Sequence, residues 1–170
     1  TYIIQKRPKG IPEAFALGKA FLAGSPCALI LGDNFFYGSG LLDLLSHANR
    51  KEDRSHIFLT KVRDPNRFGI AELDSKKEVI SLAEKPTHSS SNMAITGLYF
   101  LDKDVPIFSE KLKFSERGEL EIIELLKIYL SKKLLDVTII GRGFMWFDGG
   151  TPSSLLRAAN FVEAIQFRRG

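Results

Sequence analysis

Four short stretches of this sequence carry side chains that could bind or activate a phosphorylated ligand. The first is Leu29-Ile30-Leu31-Gly32-Asp33-Asn34, an apolar run that ends in a glycine, a carboxylate and a carboxamide. In open α/β sheets ligands bind beyond the carboxyl ends of the strands, so Asp33 and Asn34 fall where a site is expected. Gly32 would let a ligand approach the backbone there. An Asp in that place can hold Mg2+ through hard oxygen contacts, or it can simply open the next turn. The second stretch, Trp146-Phe147-Asp148-Gly149-Gly150-Thr151-Pro152, repeats the arrangement, with Asp148 ahead of two glycines and a helix start. A Mg2+–phosphate complex takes one or two carboxylates and keeps part of its water, so a pair of strand-end aspartates suits it. A plain strand-to-helix loop is the competing reading of Asp148.

The third stretch is Glu84-Lys85-Pro86, at the end of a strand. Neighbours on a strand point to opposite faces, so Glu84 and Lys85 are not expected to be merely a salt bridge. Glu can accept hydrogen bonds from sugar hydroxyls, and Lys can neutralise a phosphate; a solvated surface pair is the alternative. The fourth, Arg117-Gly118-Glu119, offers Arg117 to a phosphate, unless Glu119 is there only to favour a helix N-terminus. No Ser-His-Asp or Cys-His arrangement, Walker loop or GxGxxG occurs in the sequence. His47, His56 and His88 lack metal-ligand spacing and are expected at the surface or its boundary. Phe35, Phe36, Tyr37, Phe100, Phe144 and Trp146 read as core or pocket walls, not as a base-stacking platform.

The elements that must position these residues alternate between strand and helix. Strands are expected at Tyr2 to Gln5, Ala28 to Leu31 and Ile57 to Val62. The apolar run from Ala28 is the mark of a strand buried on both faces of a parallel sheet. Helices are expected over Pro12 to Leu22, with Phe15, Leu17, Phe21 and Leu22 inward, and over Gly40 to Asn49, with Leu41, Leu44, Leu45 and Ala48 inward. Gly69 to Leu73, Val79 to Ala83 and Ile95 to Leu101 read as an antiparallel or mixed excursion. Glu119 to Lys132 is helical, with Leu120, Ile123, Leu126 and Leu130 on one face. Strands at Val137 to Ile140 and Phe144 to Phe147 precede a last helix, N-capped by Thr151 with Pro152 at its first position. No repeat or linker divides the chain, so residues 1–170 read as one α/β domain.

Composition narrows the function classes. A chain of 170 residues with 44% hydrophobic and 26% charged content builds an ordinary core. Its apolar runs are too short to span a membrane. The net charge of +4 is spread along the chain, which disfavours nucleic acid and suits small phosphorylated anions. The lone Cys27 reads as a small core residue in a reducing, cytoplasmic setting.

Taken in order, several segments resemble the glucose-1-phosphate thymidylyltransferases within the sugar nucleotidylyltransferase family. They are Gln5 with Gly10 to Phe15, LILGDNFFYG from Leu29, DPNRFGIAELD from Asp64, ISLAEKP from Ile80, AITGLYFLD from Ala94, RGELEI from Arg117 and GRGFMWFDGGTPSSLL from Gly141. The resemblance implies a Rossmann-like nucleotide-diphospho-sugar transferase sheet, mixed and mostly parallel, with helices on both faces. It implies that Asp33 and Asp148 hold a catalytic Mg2+. Gln5 and the Gly10 backbone would contact thymine. Asn34, the backbone at Gly69, Glu84 and Ile95 would line the sugar pocket, and Lys85 and Arg117 would hold the sugar phosphate. The implied reaction joins dTTP to glucose 1-phosphate, giving dTDP-glucose and pyrophosphate, in a homo-oligomer that engages neither nucleic acid nor membrane.

Three departures from the family pattern accompany these matches. The chain opens after the point where the family carries its first strand and Gly-rich GxGTRL loop, which would cradle the triphosphate. It ends before the usual C-terminal helical tail. Gly149 and Phe68 stand where relatives often have Thr and Tyr. The resemblance therefore implies an N-terminally truncated sheet, with an open edge at residues 28–31 and little or no transferase activity in the isolated chain. A non-catalytic sugar-phosphate-binding or assembly subunit, and a uridylyl- or adenylyltransferase relative, remain open as alternatives.

Overall fold

The computed structural model describes residues 1–50 and 53–169. Its elements run α1 (Glu13–Leu17), α2 (Lys19–Leu22), β1 (Cys27–Ile30), β2 (Asn34–Gly38), α3 (Leu41–Asn49), β3 (Ser55–Lys61), β4 (Gly69–Leu73), β5 (Val79–Glu84), β6 (Met93–Leu101), α4 (Val105–Ser109), α5 (Ile122–Ser131), β7 (Leu135–Ile139), β8 (Phe144–Asp148) and α6 (Pro152–Arg169). A main sheet has the order β5-β4-β6-β3-β7 with β1 also on β6, and β2 pairs with β8 in a separate ribbon.

The α/β class holds, but the sheet is not mostly parallel. Only β3 and β7 pair in parallel among the described residues. β1, β3 and β4 all run antiparallel to β6, and β4 runs antiparallel to β5. One reason lies in a connection: a short turn over residues 74–78 links β4 to β5, and a short turn can join only antiparallel neighbours. The excursion expected from residue 69 onward is therefore continuous with the main sheet.

The helices do cover both faces. Alternate side chains of β3 leave opposite sides of the sheet, as the strand pleat requires. Ile57 and Leu59 enter a large cluster with Phe15, Ile123, Leu126 and Tyr129 from α1 and α5. Phe58 enters a smaller cluster with Ala48 of α3, Leu98 and Ile140. α5 buries Ile122, Ile123, Leu125, Leu126 and Tyr129, while Glu124 and Lys127 stay outside and pair with each other at 2.7 Å.

Four local expectations are corrected. Residues 2–5 form no strand, because no neighbouring strand offers them a ladder; Tyr2 and Ile4 lie in solvent. The helix expected over residues 12–22 breaks at Gly18 into α1 and α2 and stops at Ala23, whose φ is 48°. Phe15 is buried, but Leu17 and Phe21 point outward. β1 is not buried on both faces: its burial alternates, Ile30 is 57% exposed, and no second strand flanks it among the described residues. His56 is a buried residue of β3, held at 2.8 Å from the Thr138 hydroxyl across the parallel pair.

Candidate functional site

The two strand-end aspartates meet because β2 and β8 pair antiparallel with Asn34 opposite Asp148. Asp33 precedes β2 by one residue, and its carbonyl accepts the Gly149 N–H at 2.6 Å. Both carboxylates then lean over Gly150. A Cβ built on Gly150 would lie 3.1 Å from Asp148 Oδ1 and 3.4 Å from Asp33 Oδ2. The missing side chain thus leaves a small space with carboxylate oxygens on two sides. No group of three or more potential metal-ligating side chains occurs among the described residues.

Asn34 fixes this corner. Its amide donates to Asp33 Oδ1 at 2.8 Å, while its side-chain oxygen accepts the Gly97 N–H at 3.0 Å and the Trp146 indole N–H at 2.6 Å. Gly97 must be a glycine for this packing, since a Cβ there would sit 2.5 Å from the Asn34 side chain. The helix after Asp148 is locked by a reciprocal cap. Thr151 Oγ1 accepts the Ser154 N–H at 3.2 Å, and the Thr151 N–H donates to Ser154 Oγ at 3.1 Å. This bears out Thr151 as N-cap with Pro152 following.

A second cluster forms around Glu84. Lys85 Nζ and Arg117 Nη1 each lie 3.8 Å from Glu84 Oε1, and Arg117 also reaches Glu121 at 3.7 Å and Glu119 at 4.0 Å. The expectation that Glu84 and Lys85 point apart is corrected. Lys85 stands just past β5 in the left-handed region, with φ 40°, so the strand alternation ends before it. Burial, reinforced by Glu121, raises the Glu84 carboxyl above its ordinary value, with Lys85 and Arg117 opposing. Gly69 pairs with Glu84 across β4 and β5, and a Cβ on it would press on Ile123 at 2.6 Å.

At the third place, Gln5 Nε2 donates to the Gly10 carbonyl at 3.2 Å and to Glu13 Oε2 at 2.6 Å. Gly10 has φ 102° and sits so close to Leu120 that any Cβ would collide with the Leu120 carbonyl. The Leu120 N–H donates to the Lys9 carbonyl at 2.7 Å, tying this segment to the Arg117–Glu121 loop.

The structure therefore groups Asp33 with Asn34 and Asp148, Gly69 and Glu84 with Lys85 and Arg117, and Gln5 with Gly10. Ile95 alone stands apart: its side chain belongs to the main core, leaving only its backbone for a ligand. The sequence reading missed the segment that joins the first two groups. Arg67 Nη2 lies 3.4 Å from Asp148 Oδ2 and stacks over Phe68, its guanidinium carbon 5.3 Å from the ring centroid. Phe68 packs edge-on against Trp146 at 5.3 Å, and its carbonyl accepts the Lys85 N–H at 3.1 Å. Three consecutive residues, Arg67, Phe68 and Gly69, thus touch both clusters. The DPNRFG wording was the available signal, but within it only Gly69 was given a role in the site and Phe68 was noted only as a departure from the family pattern.

The sequence model for nucleotidyl transferases matches residues 1–165. Among similar proteins, glucose-1-phosphate thymidylyltransferase of Xanthomonas campestris is 46% identical over 99% of this chain and 57% of its own length. The proteins of that name from Neisseria gonorrhoeae and Mycobacterium tuberculosis are 44% and 40% identical, over 97% and 100% of this chain and 57% and 59% of their own. The chain spans less than three-fifths of the length of these relatives. A Bacillus anthracis structure described as a glucose-1-phosphate thymidylyltransferase in complex with a sucrose superposes with a TM-score of 0.84 at 33% identity, over 95% of this chain and 64% of that one. UDP-glucose pyrophosphorylase shares the fold, with a TM-score of 0.84 at 22% identity over 96% of this chain and 66% of its own. This chain belongs to the nucleotidyl transferase family.

Proposed function

We propose that this chain carries the metal- and sugar-phosphate-binding part of a glucose-1-phosphate thymidylyltransferase. The supporting observation is the pair of carboxylates over Gly150, linked through Arg67–Gly69 to the cluster of Glu84, Lys85 and Arg117. In the reaction, an oxygen of glucose 1-phosphate forms a bond to the α-phosphorus of dTTP. The bond from that phosphorus to its bridging oxygen breaks, and the electron pair leaves with pyrophosphate. No protein nucleophile is needed; positioning and charge neutralisation do the work.

Asp33 and Asp148 would hold Mg2+: an oxygen of each faces the place a Gly150 side chain would take, and two carboxylates suit a hard cation that keeps some water. The bound ion supplies charge neutralisation at the phosphates. Asn34 holds Asp33 in place. Lys85 and Arg117 bind the sugar phosphate, Glu84 accepts hydrogen bonds from sugar hydroxyls, and the backbone at Gly69 and Ile95 completes the pocket with Asn34. Gln5 spends its amide N–H groups on Gly10 and Glu13, which leaves its oxygen to accept the N3–H of thymine. Uracil carries the same N3–H and adenine does not, so a uridylyl relative is the reading to test against. A cytoplasmic location and a homo-oligomeric state belong to the same proposal. They are supported by a lone Cys27 and by exposed apolar side chains such as Phe21, Leu155 and Leu156.

The test joins this chain to the segments of the Xanthomonas campestris relative that lie outside the matched residues and follows pyrophosphate release. dTTP with glucose 1-phosphate and Mg2+ should give turnover, and Asp148→Asn should lower it by about a hundredfold or more. A nucleotide panel that favours UTP or ATP, or an Asp148→Asn variant as fast as the parent, contradicts the proposal. Glu84→Ala should weaken sugar-phosphate binding more than nucleotide binding; equal loss of both makes Glu84 structural.

A further inference from the structure

The end of β3 and the turn after it form, with β8 and α6, a cavity of about 260 Å³ that borders the site above through Arg67, Phe68, Trp146 and Asp148, while Lys61, Arg63 and Arg157 have no role there. Its charged lining is Lys61, Arg63, Asp64, Arg67, Asp148 and Arg157, four cations against two carboxylates. Only Arg67 among the four is ion-paired among the described residues, to Asp148. Lys61, Arg63 and Arg157 are exposed and have no carboxylate within ion-pair distance among the described residues. Phe68 and Trp146 form part of the wall, and an apolar wall strengthens any charge interaction beside it.

The contrast with the Glu84 cluster decides the ligand class. There two cations, Lys85 and Arg117, stand among three carboxylates, Glu84, Glu119 and Glu121, a setting for a phosphate that carries hydroxyl groups able to donate to the carboxylates. Here the surplus is positive, and three of the four cations are arginines, whose planar fork matches phosphate oxygens two at a time. The cavity also opens at the carboxyl end of β3, the end of the parallel β3–β7 pair where α/β sheets bind ligands. We propose that this cavity is a second phosphate site, separate from the Glu84 cluster, that takes a diphosphate group. The inference rests on the charge and shape of the cavity and stands whether or not thymidylyl transfer occurs.

The test is calorimetric titration of the chain, without Mg2+, with inorganic pyrophosphate, inorganic phosphate and a nucleoside diphosphate. Pyrophosphate or the nucleoside diphosphate should bind saturably at one site, and more tightly than inorganic phosphate. Tighter pyrophosphate binding identifies free diphosphate as the source, and tighter nucleotide binding identifies a nucleotide tail. Arg63→Ala and Arg157→Ala, at exposed positions, should each weaken binding by about tenfold, as expected for losing a charge-assisted hydrogen bond. Lys85→Ala should leave it unchanged. Absence of saturable binding, insensitivity to both arginine variants, or an equal loss in Lys85→Ala overturns the proposal.

Discussion

Glu84 and Asn34 carry the most weight among single residues, for opposite reasons. Glu84 is a carboxylate held where burial disfavours its charge. Below its ordinary value of 4.5 it is protonated both folded and unfolded, and the burial costs nothing. As pH rises through the raised folded value, the ionised carboxylate must stay in the site and stability falls. Glu84→Gln removes that loss, so its melting-temperature advantage over the parent should grow from about pH 4 to about pH 7. An advantage that does not change with pH contradicts this account. Asn34 is instead a fully employed hydrogen-bond hub. Asn34→Ala leaves the Gly97 N–H and the Trp146 indole N–H without their acceptor, and should cost about 1–3 kcal/mol in urea unfolding. Trp146 is the single tryptophan, so its emission reports the same change directly. The sequence named Asn34 for its position after a strand. It could not show that the carboxamide braces Asp33, because Gly97 and Trp146 are remote in the chain.

At the scale of elements, what was legible depended on whether the signal was local. The α5 stripe, the antiparallel excursion and the Thr151–Pro152 helix start are each written within a few residues and each is found, although α5 begins at Ile122 and leaves Leu120, expected on its inward face, in the loop before it. Thr151→Ala removes a side-chain acceptor from the first turn of α6, and should destabilise the chain by about 1 kcal/mol in urea unfolding. No change would mean that the Ser154 side chain caps the helix alone. Pairing partners were not local, and there the reading failed. An apolar run such as Cys27–Ile30 looks the same whether its neighbour runs parallel or antiparallel, and whether it has one neighbour or two. Residues 2–5 have strand-like composition but no partner, and without a ladder the composition decides nothing.

For the whole molecule, the candidate site was legible as a set of parts and not as an assembly. The strand-end aspartates, the Glu84–Lys85 pair and Arg117 could be named from residue type and resemblance. Their meeting depends on the β2–β8 register and on Arg67–Gly69 lying between the two clusters, which only the folded chain displays. The central claim is that this chain holds the acceptor of the transfer, and binding of glucose 1-phosphate tests it most directly. Calorimetric titration should show saturable binding at one site, with no binding of glucose itself. Lys85→Ala and Arg117→Ala should each weaken that binding by about tenfold. Failure to bind glucose 1-phosphate, or equal binding by the parent and both variants, would contradict the account.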